Sequence, residues 1–465
     1  MSTLQKRGAT VPAVARTVAP SGEAVHQSRR VIGFGSGAMW SMAMQIVTAI
    51  ASLAIGVVVA RTLGPEGKGT LSIVQQSVAV LLVLGDLGIG LSAIYYIARR
   101  EVRAGIVLGN ALVVLGAVTA VAGITLTLML RSPWAIIELP MAYVGASTVL
   151  FATSLMAVWI GSIAVGLEGI RGQAMNAIAA AIASLLLVIA FWFLGWRTPF
   201  NVLVASAVGA AIGIALTLTM IGPMLGRVRP SIETFSRMVH YSARLHIATA
   251  AALLLSRQDI LMLGWFLGSS AVGIYSVAAS MSELACRLPS AFADAIVAKA
   301  SRISQEEALD GSARVMRVAT LLTVVILAAM AIVMPVVVPL VFGAAFAAAS
   351  AIFYMLVPGI FAKALIYAVS SYQTARGWVY WRVSIVSVVF NAVLGLLLIP
   401  RIGYFGAAAA SSVSHVVLFA LLMRHLCHDT HRSWTFFLAP TRDDIRFTMR
   451  SARAYLKAHG ARQGA

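Results

Sequence analysis

The chain has 465 residues, 60% of them hydrophobic and only 11% charged, and its 35 Lys and Arg outnumber 16 Asp and Glu for a formal net charge of +19. Soluble domains carry roughly a quarter charged residues and a spanning helix needs about 20 apolar ones, so this composition excludes a soluble enzyme and a single anchor with a globular head. The two cysteines, Cys286 and Cys427, exclude a disulfide framework and cannot by themselves build a zinc or iron–sulfur site.

Residues 1–30 are polar, rich in Ala, Ser, Thr and Pro, and end in Arg29-Arg30; they are expected to form a disordered cytoplasmic N-tail. The apolar run after them is about twice the length of a signal h-region and is expected to stay as the first span. Twelve apolar runs follow in order: 31–60, 71–98, 104–130, 141–166, 172–196, 200–225, 241–267, 273–296, 315–342, 346–370, 379–398 and 404–423. They are continuous in Ala, Leu, Val and Ile rather than alternating, which predicts helices and not barrel strands. Between the sixth and seventh lies a polar, basic stretch with Pro230, expected to be a linker with a short interfacial helix. After the twelfth, Arg446, Arg450, Arg453 and Lys457 recur at helical spacing over 443–458. That pattern reads as a basic amphipathic helix on an anionic leaflet or as a solvated tail.

An offset of 204 residues relates Leu63-Gly64, Gly69 and Ser72 to Leu267-Gly268, Gly273 and Ser276. The same offset relates Arg197 to Arg401 and Phe200 to Tyr404. The expected fold is therefore an all-α polytopic membrane protein, with twelve transmembrane helices in two six-helix lobes related by a parallel repeat. Its expected parts are an N-lobe over 31–225, a cytoplasmic linker over 226–240, a C-lobe over 241–424 and a basic tail over 425–465. With both termini cytoplasmic, 27 Lys and Arg fall on the inner side and five on the outer, Arg61 and Lys68 among the five. The positive-inside bias sets that orientation and accounts for the basic composition without nucleic acid.

Charges inside spans cost about 3 kcal/mol each on insertion scales, so they need a partner or a wet cavity. Arg257 lies near mid-span, and its neighbour Asp259, two residues on, points to another sector of the helix. An arginine facing a cavity there suits an oxyanion such as phosphate, because its planar fork binds in bidentate fashion. Glu283 and Arg287 stand at i,i+4 and are expected to pair. Lys363 reads either as a helper in the same anion site or as a lysine snorkelling to the headgroups. Asp86 sits in Leu84-Gly85-Asp86-Leu87-Gly88-Ile89-Gly90, whose glycines weaken a helix; it reads as an ion-coupling carboxylate in a broken helix or as a local cap at a kink. Asp259 and Glu283 are the other ion-coupling candidates, while His246 and His415 read as packing residues. Gly64-Pro65-Glu66-Gly67-Lys68-Gly69-Thr70 is a phosphate loop in composition only, lacking the required spacing, and no zinc-protease helix, nucleophile elbow or dinucleotide fingerprint is present. No catalytic residue, metal or cofactor is expected.

Three segments carry a family resemblance: Ala60-Arg61-Thr62-Leu63-Gly64-Pro65-Glu66-Gly67-Lys68-Gly69; Asp259-Ile260-Leu261-Met262-Leu263-Gly264 leading to Val272-Gly273-Ile274-Tyr275-Ser276; and Pro400-Arg401-Ile402-Gly403-Tyr404-Phe405-Gly406. They resemble the signature of bacterial polysaccharide-biosynthesis flippases, in the superfamily that also holds multidrug antiporters and lipid II flippases. The resemblance implies a two-lobed inner-membrane transporter that moves an undecaprenyl-diphosphate-linked oligosaccharide from the cytoplasmic to the periplasmic leaflet by alternating access. Twelve helices, without the two further ones of lipid II flippases, favour the O-antigen or exopolysaccharide branch. The implied partners are the lipid-linked substrate, membrane lipids and a polysaccharide polymerase or glycosyltransferase. Arg257, Arg287 and Lys363 are then the candidates for the diphosphate. The rivals are an ion-coupled multidrug antiporter, which calls for uncompensated carboxylates and aromatics in the cavity, an enzyme acting on the same lipids, which the short outer loops oppose, and a membrane scaffold recruiting partners through its tail.

Overall fold

The computed structural model describes residues 34–132, 135–300, 305–374, 380–441 and 444. The expected N-tail and all of the expected tail helix except Asp444 lie outside the described residues. The elements are α1 (Phe34–Asp86), α2 (Ile89–Ala98), α3 (Ala104–Arg131), α4 (Met141–Glu168), α5 (Ile170–Phe193), α6 (Pro199–Leu225), α7 (Ile232–Ala300), α8 (Gln305–Phe342), a 3₁₀ turn (Ala344–Phe346), α9 (Ala348–Thr374), α10 (Tyr380–Ile402), α11 (Tyr404–Thr430) and α12 (Trp434–Leu438). Among the described residues there is no strand. Among the described residues, ten helices are long and apolar enough to cross a membrane. Large apolar side chains such as Ile332 and Ile124, 78% and 64% exposed, face outward from the bundle, as lipid contact requires.

Two of those ten stretches, Met39–Asp86 and Leu245–Arg287, hold 48 and 43 residues. Straight helices of that length would reach roughly 65–70 Å at 1.5 Å per residue, about twice the hydrocarbon thickness. Each is instead broken by one glycine outside helical geometry: Gly64 at φ 66°, ψ −170°, and Gly268 at φ 76°, ψ −174°. Each break folds the helix back on itself. The Lys68 ammonium lies 3.7 Å from where a Cβ of Gly56 would stand, and Tyr275 reaches back to Asp259. A positive φ combined with ψ near 180° suits glycine alone, and Pro65 restarts the helix at its first position, where a missing N–H costs nothing. The outer loops expected over 61–70 and 268–272 are therefore replaced by one-residue turns, and Lys68 is helical and buried rather than a loop cation. Arg61 donates to the carbonyls of Leu340 and, at 2.8 Å, Val341, satisfying the end of α8 with positive charge.

The two breaks pack against each other. A Cβ on Gly69 would fall 1.6 Å from the Ser269 carbonyl oxygen, and one on Gly273 would fall 1.9 Å from that of Pro65. The four positions form two pairs at the same 204-residue offset as the breaks. Small residues let backbones meet this closely.

The opposite end is tied differently. The expected linker is extended only as far as Pro230; from Ile232 it is already α7. Glu101 bridges Arg99 at 2.9 Å and Arg237 at 2.6 Å, and Tyr241 stacks on Tyr95 with ring centroids 4.4 Å apart. Nearer the C-terminus, Asp444 is buried against α8, taking bonds from Arg317 and from the Thr441 hydroxyl at 2.6 Å each. Burial pushes its carboxyl up, but the Arg317 and Thr441 hydrogen bonds outweigh that and hold it at about 2.

The glycine contact is testable. Gly69→Val and Gly273→Val are expected to destabilise the fold by at least about 3 kcal/mol, since backbone carbonyls cannot move aside as a side chain can. Gly116→Val, where nothing lies within 4 Å of an added Cβ, serves as the control. Melting in detergent should drop for the first two and hold for the third; equal melting of all three would refute the contact.

Candidate cationic cavity

The fold-back of α7 brings its two halves level. Arg257, before the break, and Glu283, after it, pair at 2.5 Å between Nη1 and Oε1. The expected i,i+4 pair of Glu283 with Arg287 is thus corrected: the turn at Gly268 offers Glu283 a partner across the hairpin. Arg287 turns toward α1, its Nη1 lying 3.5 Å from the Gln45 carbonyl.

These three side chains and Lys363 of α9 line one cavity of about 380 Å³, closed by Val83, Thr249, Leu253, Ser256, Cys286 and Tyr367. Three cations and one carboxylate thus share its lining. The pair is not sealed from solvent: the Arg257 and Glu283 side chains are 24% and 32% exposed. The Arg257 Nε is buried and has no hydrogen-bond partner among the described residues, so part of its donor fork is uncommitted.

Two smaller chambers adjoin the cavity, and Glu283 lines both. One, of about 40 Å³, is bounded by Asp259, Tyr275, Lys363 and His415. Asp259 accepts from the Tyr275 hydroxyl at 2.5 Å and from the Ile260 N–H at 2.9 Å. His415 bonds the Ser411 carbonyl oxygen at 2.8 Å. The other, of about 90 Å³, is bounded by Ser52, Gly56, Lys68, Arg287 and Phe342.

Asp86 lies elsewhere. The chain breaks after it, with Leu87 at φ 49° and Gly88 at φ 75°, as the glycine-rich motif leads one to expect. Its Oδ1 accepts from the Trp159 indole at 2.7 Å and from the Gly90 N–H at 3.1 Å, so it caps α2. Its Oδ2 stands 3.7 Å from His246 Nδ1. The structure thus gathers Arg257, Arg287, Lys363 and Glu283, sets Asp259 next door and leaves Asp86 apart. Sequence reasoning missed Lys68, although Gly64-Pro65 ahead of it signals a helix restart that would carry it inward. It also missed Tyr275 as the partner of Asp259, and Trp159 and His246 as neighbours of Asp86.

The sequence model of a family described as polysaccharide biosynthesis protein matches residues 34–297. Comparison with curated protein sequences gives no match. Among solved structures, the lipid II flippase MurJ in an inward closed conformation superposes with a TM-score of 0.69 at 11% identity, covering 83% of this chain and 87% of that one. An inward-facing MATE multidrug resistance transporter of the MOP superfamily gives 0.61 at 14% identity, covering 85% and 99%. The MATE multidrug transporter DinF-BH gives 0.61 at 18% identity, covering 85% and 95%. At these identities the likeness is one of fold, shared by flippases and drug transporters alike. With more than half its length matched by the family, the chain belongs to the polysaccharide biosynthesis protein family and has the fold of MOP-type membrane transporters.

Proposed function

We propose that the protein is a flippase that carries an undecaprenyl-diphosphate-linked oligosaccharide from the cytoplasmic to the periplasmic leaflet of the inner membrane during O-antigen or exopolysaccharide synthesis. The carrying observation is a partly exposed Arg257 with an uncommitted Nε, in a cavity inside an apolar bundle that Arg287 and Lys363 also line. A diphosphate esterified at both ends bears two negative charges, which suit a lining that holds more cations than carboxylates. Arg257 and Arg287 supply planar forks for phosphate oxygens, and Lys363 adds a point charge. The sugars cross in the cavity, while the polyprenyl chain stays in lipid.

In this account Glu283 is the competitor. It holds Arg257 when the cavity is empty, and an arriving phosphate must displace it. A proton or cation that neutralises Glu283 therefore raises the affinity for the anion, which couples transport to an ion gradient. Asp259 and Asp86 are secondary coupling sites, each holding hydrogen bonds that protonation would weaken. Counting α1 and α7 as two crossings each, with α2 completing the second crossing, gives twelve crossings in two lobes. The matched breaks at Gly64 and Gly268 support the parallel repeat. The basic loops favour cytoplasmic termini, with the glycine breaks at the periplasmic side.

A multidrug antiporter is the second reading, favoured by the MATE matches. Three cations around the cavity oppose it, because a cationic drug would meet repulsion rather than an open carboxylate.

In proteoliposomes, Arg257→Ala is expected to slow translocation of a polyprenyl-diphosphate oligosaccharide at least tenfold, about 1.4 kcal/mol; an unchanged rate would refute the site. Glu283→Gln should tighten binding of the same lipid. Weaker binding by Glu283→Gln would show that the carboxylate orders the site rather than competing for it.

A further inference from the structure

Lys68 has no role in the cavity so far described. It sits one turn past the Gly64 break, 9% exposed, with its ammonium directed at the space left by Gly56. No hydrogen bond or ion pair to it is found among the described residues. Although only one turn from the helix end, its side chain turns inward and is buried, instead of snorkelling to water. An ammonium without a partner in low dielectric is strongly disfavoured unless an anion or water joins it. Glu283, the acidic residue on the chamber wall, is already held at 2.5 Å by Arg257. The chamber, at about 90 Å³, is well above the ~10–15 Å³ that one water needs. It shares Glu283 and Arg287 with the main cavity, so a ligand bound in one can extend into the other.

We propose that Lys68 forms a second anion subsite, in which it and Arg287 hold one phosphate of a diphosphate while Arg257 and Lys363 hold the other. The inference rests on the headgroup reading of the main cavity and adds a specificity: two adjoining subsites select a diphosphate over a monophosphate. It also gives the α1 hairpin a share in binding. The main cavity is built almost wholly from α7 and α9, with Val83 its one contribution from α1. Through Lys68 the headgroup bridges α1 and α7, the two broken helices whose glycines meet at one end. A ligand that spans them senses any change in their relative position.

The test is binding of undecaprenyl diphosphate and undecaprenyl monophosphate by the full chain in nanodiscs. The wild type is expected to prefer the diphosphate at least tenfold. Lys68→Met keeps the chamber filled and removes the charge; it should reduce the preference to within twofold by weakening the diphosphate alone. Lys68→Arg should restore most of it. Gly56→Val, which fills the space in front of the ammonium, should act like Lys68→Met and serves where that variant fails to fold. A tenfold preference that survives in both Lys68→Met and Gly56→Val overturns the inference. If Arg257→Ala still weakens both lipids in that case, the main cavity stands without the second subsite. If Arg257→Ala changes neither, the headgroup reading falls and takes the subsite with it. Inorganic pyrophosphate distinguishes the source of the diphosphate: competition lost in Lys68→Met supports a site that reads the phosphates alone. No competition, with the lipid preference intact, supports a site that needs the lipid-borne form.

Discussion

One carboxylate among three cations is the arrangement on which the rest depends. In an apolar bundle a charge is tolerated only beside water or a counter-charge, and Glu283 supplies that counter-charge to Arg257. Its pairing with Arg257 keeps the resting cavity from being prohibitively charged. The remaining positive field is strong because the surrounding dielectric is low. In the proposed function, the same field that makes the empty site costly draws the anionic headgroup.

The cavity is in turn a product of two glycines. Without the left-handed break at Gly268, Arg257 and Glu283 would stand 26 positions apart along one rod, roughly 39 Å at the helical rise. With it, they meet. Gly64 does the same for α1, turning Lys68 inward against Gly56. The tight seam of Gly69 on Ser269 and Gly273 on Pro65 then fixes how these hairpins sit together. Backbone conformation at two residues thus decides where Arg257, Glu283 and Lys68 are found.

Much of this was legible beforehand and some was not. The helical class follows from continuous apolar runs, and the break after Asp86 from its glycines, because both are local properties. Arg257, Arg287 and Lys363 stand out because charge within a span is rare whatever the fold. The partner of Glu283 was not legible: helical spacing suggests Arg287, and only the reversal at Gly268 brings Arg257 closer. Lys68 was misplaced for a related reason. Gly64-Pro65 reads as a loop when gaps in hydropathy mark boundaries, whereas here a single residue turns the chain and the helix resumes at once. Asp259 was found as a residue but not as the acceptor of Tyr275, a contact across the same turn.

A fold shared by a lipid II flippase and by drug transporters leaves the choice of cargo to the charge of the cavity. The most direct measurement is photo-crosslinking from a probe at Leu253, on the cavity wall, with Val113, 63% exposed on the bundle surface, as the reference position. The account predicts that undecaprenyl diphosphate suppresses labelling at 253 but not at 113, and that a lipophilic organic cation suppresses neither. Suppression at 253 by the cation, with no effect of the diphosphate lipid, would contradict it.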